Sequence, residues 1–282
     1  MFFVLGGFLM IAQIVLTPWE SKRLIAKGVA QLDSVKNALE NGIVTIARGT
    51  TDAYVFEELL GKPIDKENFV AGAIAPDRLC LIDFSKIISE VAFVNGELQE
   101  IKTNEIVKEM NADDVFIKGG NAVDLFFNTG ILIGASHGGT IGNSIGQIIA
   151  KGVELICPVG LEKLIMTPVD EVASLAGINR VNYSTGMPCG FFPVTTGTTI
   201  TEIQALELLT DEDIEVIHMS SGGSIGAEGS VVLQISGEDE GVRELIKLIK
   251  SIKGEPPLNV PVRTCPTCDW PTCPWKGKQR PY

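Results

Sequence analysis

Apolar residues follow two rhythms along this chain, and the alternation between them predicts its architecture. Ile43-Val44-Thr45-Ile46-Ala47, Val115-Phe116-Ile117 and Leu155-Ile156-Cys157-Pro158-Val159 are short, almost uninterrupted apolar runs, the signature of strands covered on both faces. The stretch Glu20 to Asn41 instead places Leu24, Val29, Leu32, Val35 and Leu39 three to five residues apart and stops at Gly42, as a helix does. Ala53 to Leu60 and Ile145 to Ala150 read as further helices. Ile11 to Leu16 reads as an opening strand, and Thr17-Pro18-Trp19-Glu20 as a capped helix start. Cys80 to Asp83 and Glu90 to Val94 look like short strands, and Asn95-Gly96 like a tight hairpin turn.

Buried strands alternating with helices predict an α/β fold with a mostly parallel sheet. From about Phe191 the order changes. Strands at Phe191 to Thr196, Ile214 to Ser220, Ser230 to Ile235 and Leu258 to Val262 alternate with helices at Thr201 to Leu209 and Glu238 to Ile252. That β-α-β-β-α-β order predicts a smaller ferredoxin-like α+β domain. The 282 residues suit about two domains. The expected division is an apolar N-terminal segment over 1–16, a ligand-binding domain over 17–186, the ferredoxin-like domain over 187–263 and a Cys-rich tail over 264–282.

Charge narrows the function classes. A formal net charge of −12 repels phosphate backbones at long range and argues against a nucleic-acid partner. Residues Phe2 to Pro18 carry no charge, but Phe2 to Val15 falls short of the ~20 residues a bilayer helix needs. A core segment or extended start is favoured over a membrane anchor or a signal peptide, and Met10 is an alternative start. A long acidic chain with no clear export signal fits the cytoplasm, where thiols stay reduced.

Four glycine-containing turns carry candidate chemistry. Arg48-Gly49-Thr50-Thr51-Asp52 follows a strand and opens a helix. Unpaired N–H groups at a helix start favour an anion, and Thr50 and Thr51 add hydroxyls. An ordinary capped loop explains the same residues. Lys118-Gly119-Gly120-Asn121, with Asp124 beyond it, allows a ligand close to the backbone, or is a turn bonding to itself. Ser136-His137-Gly138-Gly139-Thr140 leads into a helix and holds one of only two histidines. His137 and Asp124 are the acid–base candidates. Ser220 to Gly226 reads as a hairpin loop. Dinucleotide and NTP-binding fingerprints are absent.

These turns carry a resemblance. Ile46 to Asp52 with its following helix resembles the first phosphate loop of the superfamily of ribose-5-phosphate isomerases, glucosamine-6-phosphate deaminases and CoA transferases. Asp114 to Asp124 resembles its second strand-and-turn motif, and the glycine-rich stretch to Gly142 its third loop. The resemblance spans about Thr17 to Val159. It implies a Rossmann-like sheet with ligand at the carboxyl ends of the strands. The isomerases place acids where this chain has Lys118, Asn121 and Ala122, and only Asp124 keeps one. A shared fold does not carry a shared reaction.

The tail holds Cys265, Cys268 and Cys273 within Cys-Pro-Thr-Cys-Asp-Trp-Pro-Thr-Cys-Pro. Thiolates at this spacing suit zinc or an iron–sulfur cluster. Three ligands leave a fourth to be found, with Cys189, Cys157, a histidine, a partner subunit or an exogenous ligand as candidates. Free thiols on a disordered or docked tail are the plainer alternative.

Two functional expectations result. One is an enzyme-like protein, isomerase- or transferase-like, that binds a small phosphorylated or carboxylate ligand on Gly49, Thr50, Thr51, Gly119, Gly120, Asn121, Gly138, Gly139 and Thr140. The other is a non-catalytic, metal-binding sensor or assembly protein that forms a homo-oligomer. A redox protein with its cluster in the tail is a third.

Overall fold

The computed structural model describes residues 9–279. The first half of the expected apolar N-terminal segment and the last basic residue, Arg280, lie outside them. The chain opens with β1 (Leu9–Leu16), and Thr17 turns it into α1 (Pro18–Gln31). The Thr17 hydroxyl accepts the Glu20 N–H, and the Glu20 carboxylate accepts the Thr17 N–H at 2.9 Å. This reciprocal cap precedes Pro18, whose missing N–H costs nothing in a first turn. The single helix expected to Asn41 is two, because extended backbone at Leu32 (ψ 129°) separates α1 from α2 (Asp33–Asn41).

Next come β2 (Ile43–Ile46), α3 (Thr50–Leu60), the hairpin of β3 (Gly72–Ala75) and β4 (Arg78–Leu81), and the hairpin of β5 (Val91–Val94) and β6 (Glu97–Glu100). Asn95 and Gly96 both have positive φ, as a tight hairpin turn requires. The middle of the chain forms α4 (Thr103–Ile106), β7 (Val115–Ile117), β8 (Ala122–Val123), β9 (Thr129–Ile133), α5 (Gly139–Lys151), β10 (Glu154–Pro158) and α6 (Val169–Leu175). The last part forms β11 (Gly190–Val194), β12 (Thr198–Ile200), α7 (Glu202–Leu208), β13 (Ile214–Gly222), β14 (Ser230–Glu238) and α8 (Asp239–Ser251).

The central sheet is mixed, in the order β12-β10-β7-β2-β5-β6. Its first four strands are parallel, and β5 and β6 run antiparallel at one edge. Both faces are covered. Val115 and Ile117 pack with Leu24, Tyr54, Phe56 and Leu206 on one side. Phe116, between them, packs with Ile141 and Ile148 of α5 on the other. The period-two alternation of a strand therefore feeds two cores, which explains the uninterrupted apolar runs.

The strands expected to form one ferredoxin-like sheet are divided between two, and β12, a strand the pattern did not predict, joins a third. β11 pairs with β9, β12 joins β10 in the central sheet, and β13 and β14 form a sheet with β1. β1 matches β14 along its whole length, from Leu9↔Glu238 to Leu16↔Val231. It thus holds the edge of β14 that β13 leaves open, and Val262 makes a single bridge to Ile82. Across the expected boundary at residue 186, Leu24, Ile46 and Ile117 share one apolar core with Leu233, Val242 and Leu245. Among the described residues, no helix is long and apolar enough to cross a membrane.

Candidate functional site

Three of the glycine-rich turns meet: two follow the parallel strands β2 and β7, at the ends where open α/β sheets place their ligands, and the third follows β9 of the antiparallel sheet. The turn after β2, the turn after β7 and the loop between β9 and α5 wall one cavity of about 790 Å³, within the range of small-molecule sites. Gly49, Thr50, Thr51, Gly119, Gly120, Asn121, Gly138, Gly139, Thr140 and His137 all line it. The helices α3 and α5 start at this wall from Gly49 and Gly138, and neither start has a side-chain cap. Their first-turn N–H groups are left for another partner.

Asp52 stands where two of the turns touch. Its Oδ1 accepts the Gly119 N–H at 2.7 Å. Its Oδ2 is buried with no hydrogen-bond partner among the described residues. Close packing explains both flanking glycines: a Cβ at Gly119 would lie 3.0 Å from Asp52 Oδ1, and one at Gly49 would overlap Oδ2. Burial pushes the Asp52 carboxyl up to about 6, against the pull of Lys118, the Gly119 N–H and Lys163. A first-turn position also suits its negative charge. Thr51, beside it, is buried with an unpartnered hydroxyl and lines the same cavity.

Two lysines reach this corner. Lys118 Nζ donates to the Gly119 carbonyl at 3.1 Å, and Lys163 Nζ to the Gly120 carbonyl at 3.0 Å. Both line the cavity. Burial draws Lys163 below the usual lysine value, partly offset by Glu162 beside it. Arg48 also lines the cavity, but Glu90 holds its guanidinium at 2.8 Å. Asn121 shapes the wall, its Oδ1 accepting the Leu132 N–H at 3.0 Å.

Asp124 is corrected from an acid–base candidate to a turn support. It is absent from the cavity wall, and all its acceptor capacity is engaged. Oδ1 accepts the N–H groups of Phe126 and Asn128, both at 2.9 Å, and Oδ2 accepts the Val169 N–H at 3.1 Å and the Asn128 amide at 3.3 Å. Burial works against its charge, but these bonds outweigh it and lower the pKa. In the sequence Asp52 is one residue of a capped loop, and Lys163 is not among the candidates. Only the tertiary approach of Gly119 marks Asp52. Lys163 was open to the strand-end rule, since it follows β10 as the other turns follow β2 and β7.

The tail lies beside the cavity rather than in it. Trp270 lines the wall, and Cys265, Cys268 and Cys273 border a smaller space next to it. Among the described residues, no group of three or more His, Cys, Asp or Glu side chains is drawn together in a form that holds a metal ion.

The chain matches no family model, no curated protein and no solved structure. Function therefore rests on the geometry.

Proposed function

We propose that the strand-end cavity binds a small phosphorylated or carboxylate ligand, held by first-turn N–H groups of α3 and α5 and by Lys118 and Lys163. The carrying observation is the convergence of three turns, far apart in sequence, on one cavity with two lysines at its inner corner. A Rossmann-like reading of the fold belongs to this proposal. Four parallel strands with helices over both faces support it, as does the position of the turns that resemble the isomerase and CoA-transferase loops. Within the reading, Asp52 replaces Asp124 as the acid–base group: it has a free oxygen, and its pKa of about 6 lets it exchange a proton near neutrality. His137 is at the exposed rim of the same cavity.

The test is binding of inorganic phosphate to the full chain, followed by calorimetry and by the thermal unfolding midpoint. Phosphate is expected to raise the midpoint in step with its concentration. Lys163→Met and Thr51→Val are expected to weaken binding, the first by about tenfold or more, as for loss of a charge-assisted hydrogen bond. Phosphate that binds neither protein, or binds both variants as well as the wild type, sinks the proposal.

A further inference from the structure

The three tail cysteines sit on a folded knuckle. Cys265 opens a short 3₁₀ turn, Cys265–Thr267, and the Cys268 N–H returns to the Cys265 carbonyl at 3.1 Å. The Gly277 N–H closes the segment on the carbonyls of Cys265 and Cys268, at 2.9 and 3.0 Å. The knuckle is fastened to the body. The Arg263 N–H donates to the Leu81 carbonyl at 3.0 Å, and Trp270 Nε1 and Thr272 Oγ1 both donate to the Gly134 carbonyl, at 3.2 and 3.0 Å.

This docking brings in a fourth cysteine that the sequence leaves far away. Cys80 of β4 lines the same cavity, of about 20 Å³, as Cys265, Cys268 and Cys273. The remaining wall includes Leu79, Leu81, Met187 and Trp270, with the guanidinium-bearing Arg78 and Arg263. Cys80 Sγ donates to the Arg263 carbonyl at 3.7 Å, and the Arg78 and Arg263 guanidiniums pair with Asp77 and Asp269, both at 2.7 Å. Arg78 Nε is buried with no partner among the described residues.

Charge and size select the occupant. Four thiolates around a dication leave two negative charges, and Arg78 and Arg263, though paired with Asp77 and Asp269, line the same small space. A space of about 20 Å³ admits roughly one water-sized body, which suits a single ion better than a cubane cluster. An all-sulfur donor set in an apolar wall is the chemistry of structural zinc.

We propose that Cys80, Cys265, Cys268 and Cys273 form a tetrathiolate site for one zinc ion that clips the C-terminal knuckle to the β3–β4 hairpin. Binding requires the four side chains to turn inward, to zinc–sulfur distances of about 2.3 Å. Each thiol gives up its proton to solvent as its bond to zinc forms. Leu79, Cys80, Leu81, Met187 and Trp270 border both this site and the larger cavity, so the clip also secures one wall of the ligand site. That last consequence alone rests on the ligand-binding reading.

The experiment measures zinc, iron and acid-labile sulfide per chain on full-length protein purified without oxygen or chelator. The expected result is one zinc per chain and no sulfide, with Cys80→Ser losing the zinc and Cys157→Ala, at a buried cysteine elsewhere, keeping it. If Cys80→Ser does not fold, cobalt exchanged into the wild-type chain decides, since its sulfur-to-metal absorption grows with the number of thiolates bound. Four thiolates uphold the proposal and three overturn it. Zinc retained in a folded Cys80→Ser, iron with sulfide in place of zinc, or a metal-free chain also overturns it. Phosphate binding is measured separately, so failure of the ligand reading leaves the zinc count standing, and the reverse.

Discussion

Asp52 and Asp124 each belong to a strand-end turn, and each is buried from solvent, yet their surroundings differ in kind. Asp124 accepts four hydrogen bonds and is held charged, below its ordinary pKa. Asp52 accepts one, keeps an oxygen without a partner, and is pushed up to about 6. A carboxylate whose lone pairs are all engaged has no capacity left for a ligand. One buried with a free oxygen at a cavity wall is costly to keep unless it does something there. The comparison separates a structural acid from a chemical one where residue type and turn position do not.

The largest expected effect is on Asp124. Asp124→Ala leaves three backbone N–H groups without their acceptor and should cost about 3 kcal/mol or more in urea unfolding. The sulfate affinity of the folded fraction should not change. A mild loss of stability would show that the turn does not depend on this carboxylate.

Asp52→Asn should act through pH. The Asp52 pKa is raised from 3.8 to about 6, so the folded chain holds a proton that the unfolded chain releases first. Its contribution is most favourable below 3.8 and is lost as pH rises to about 6. Relative to Asp52→Asn, the wild type should lose on the order of 2–3 kcal/mol across that window. Denaturant midpoints at several pH values check this, and parallel curves for the two proteins would contradict it.

Gly119→Ala tests the contact between the turns. Its Cβ would press on the Asp52 carboxylate, whose Oδ1 would lie at 3.0 Å, and should cost about 1–2 kcal/mol. Anion affinity should fall with it, because the Asp52–Gly119 bond sets the spacing of the two turns. The smallest effect belongs to Thr51→Val. Its hydroxyl has no partner among the described residues, so stability should change by less than about 0.5 kcal/mol while anion affinity drops.

What could be read from the sequence was local. The β-branched runs at Ile43 to Ile46 and Val115 to Ile117, the cap at Thr17 and the positive-φ turn at Asn95-Gly96 each follow from neighbouring residues, and each is present. Strand-end placement of the first two turns followed from the same patterns, whereas β9, which leads into the third, was not expected. Sheet partners did not. β1 and β14 lie near opposite ends of the chain, and only the fold brings them into matched register. The hidden site residues share this character. The Gly119 bond to Asp52 and the place of Cys80 beside the tail arise when distant segments pack.

The central claim is that the three turns form one anion site with Asp52 at its base. It is tested most directly by the affinity for sulfate, an anion whose charge is constant near neutrality, measured against pH in the wild type and in Asp52→Asn. The account predicts that wild-type affinity falls as pH rises through about 6, as the carboxylate gains its charge beside the anion, and that Asp52→Asn loses this step and binds more tightly on the alkaline side. The same pH profile in both proteins, or no sulfate binding in either, would contradict it.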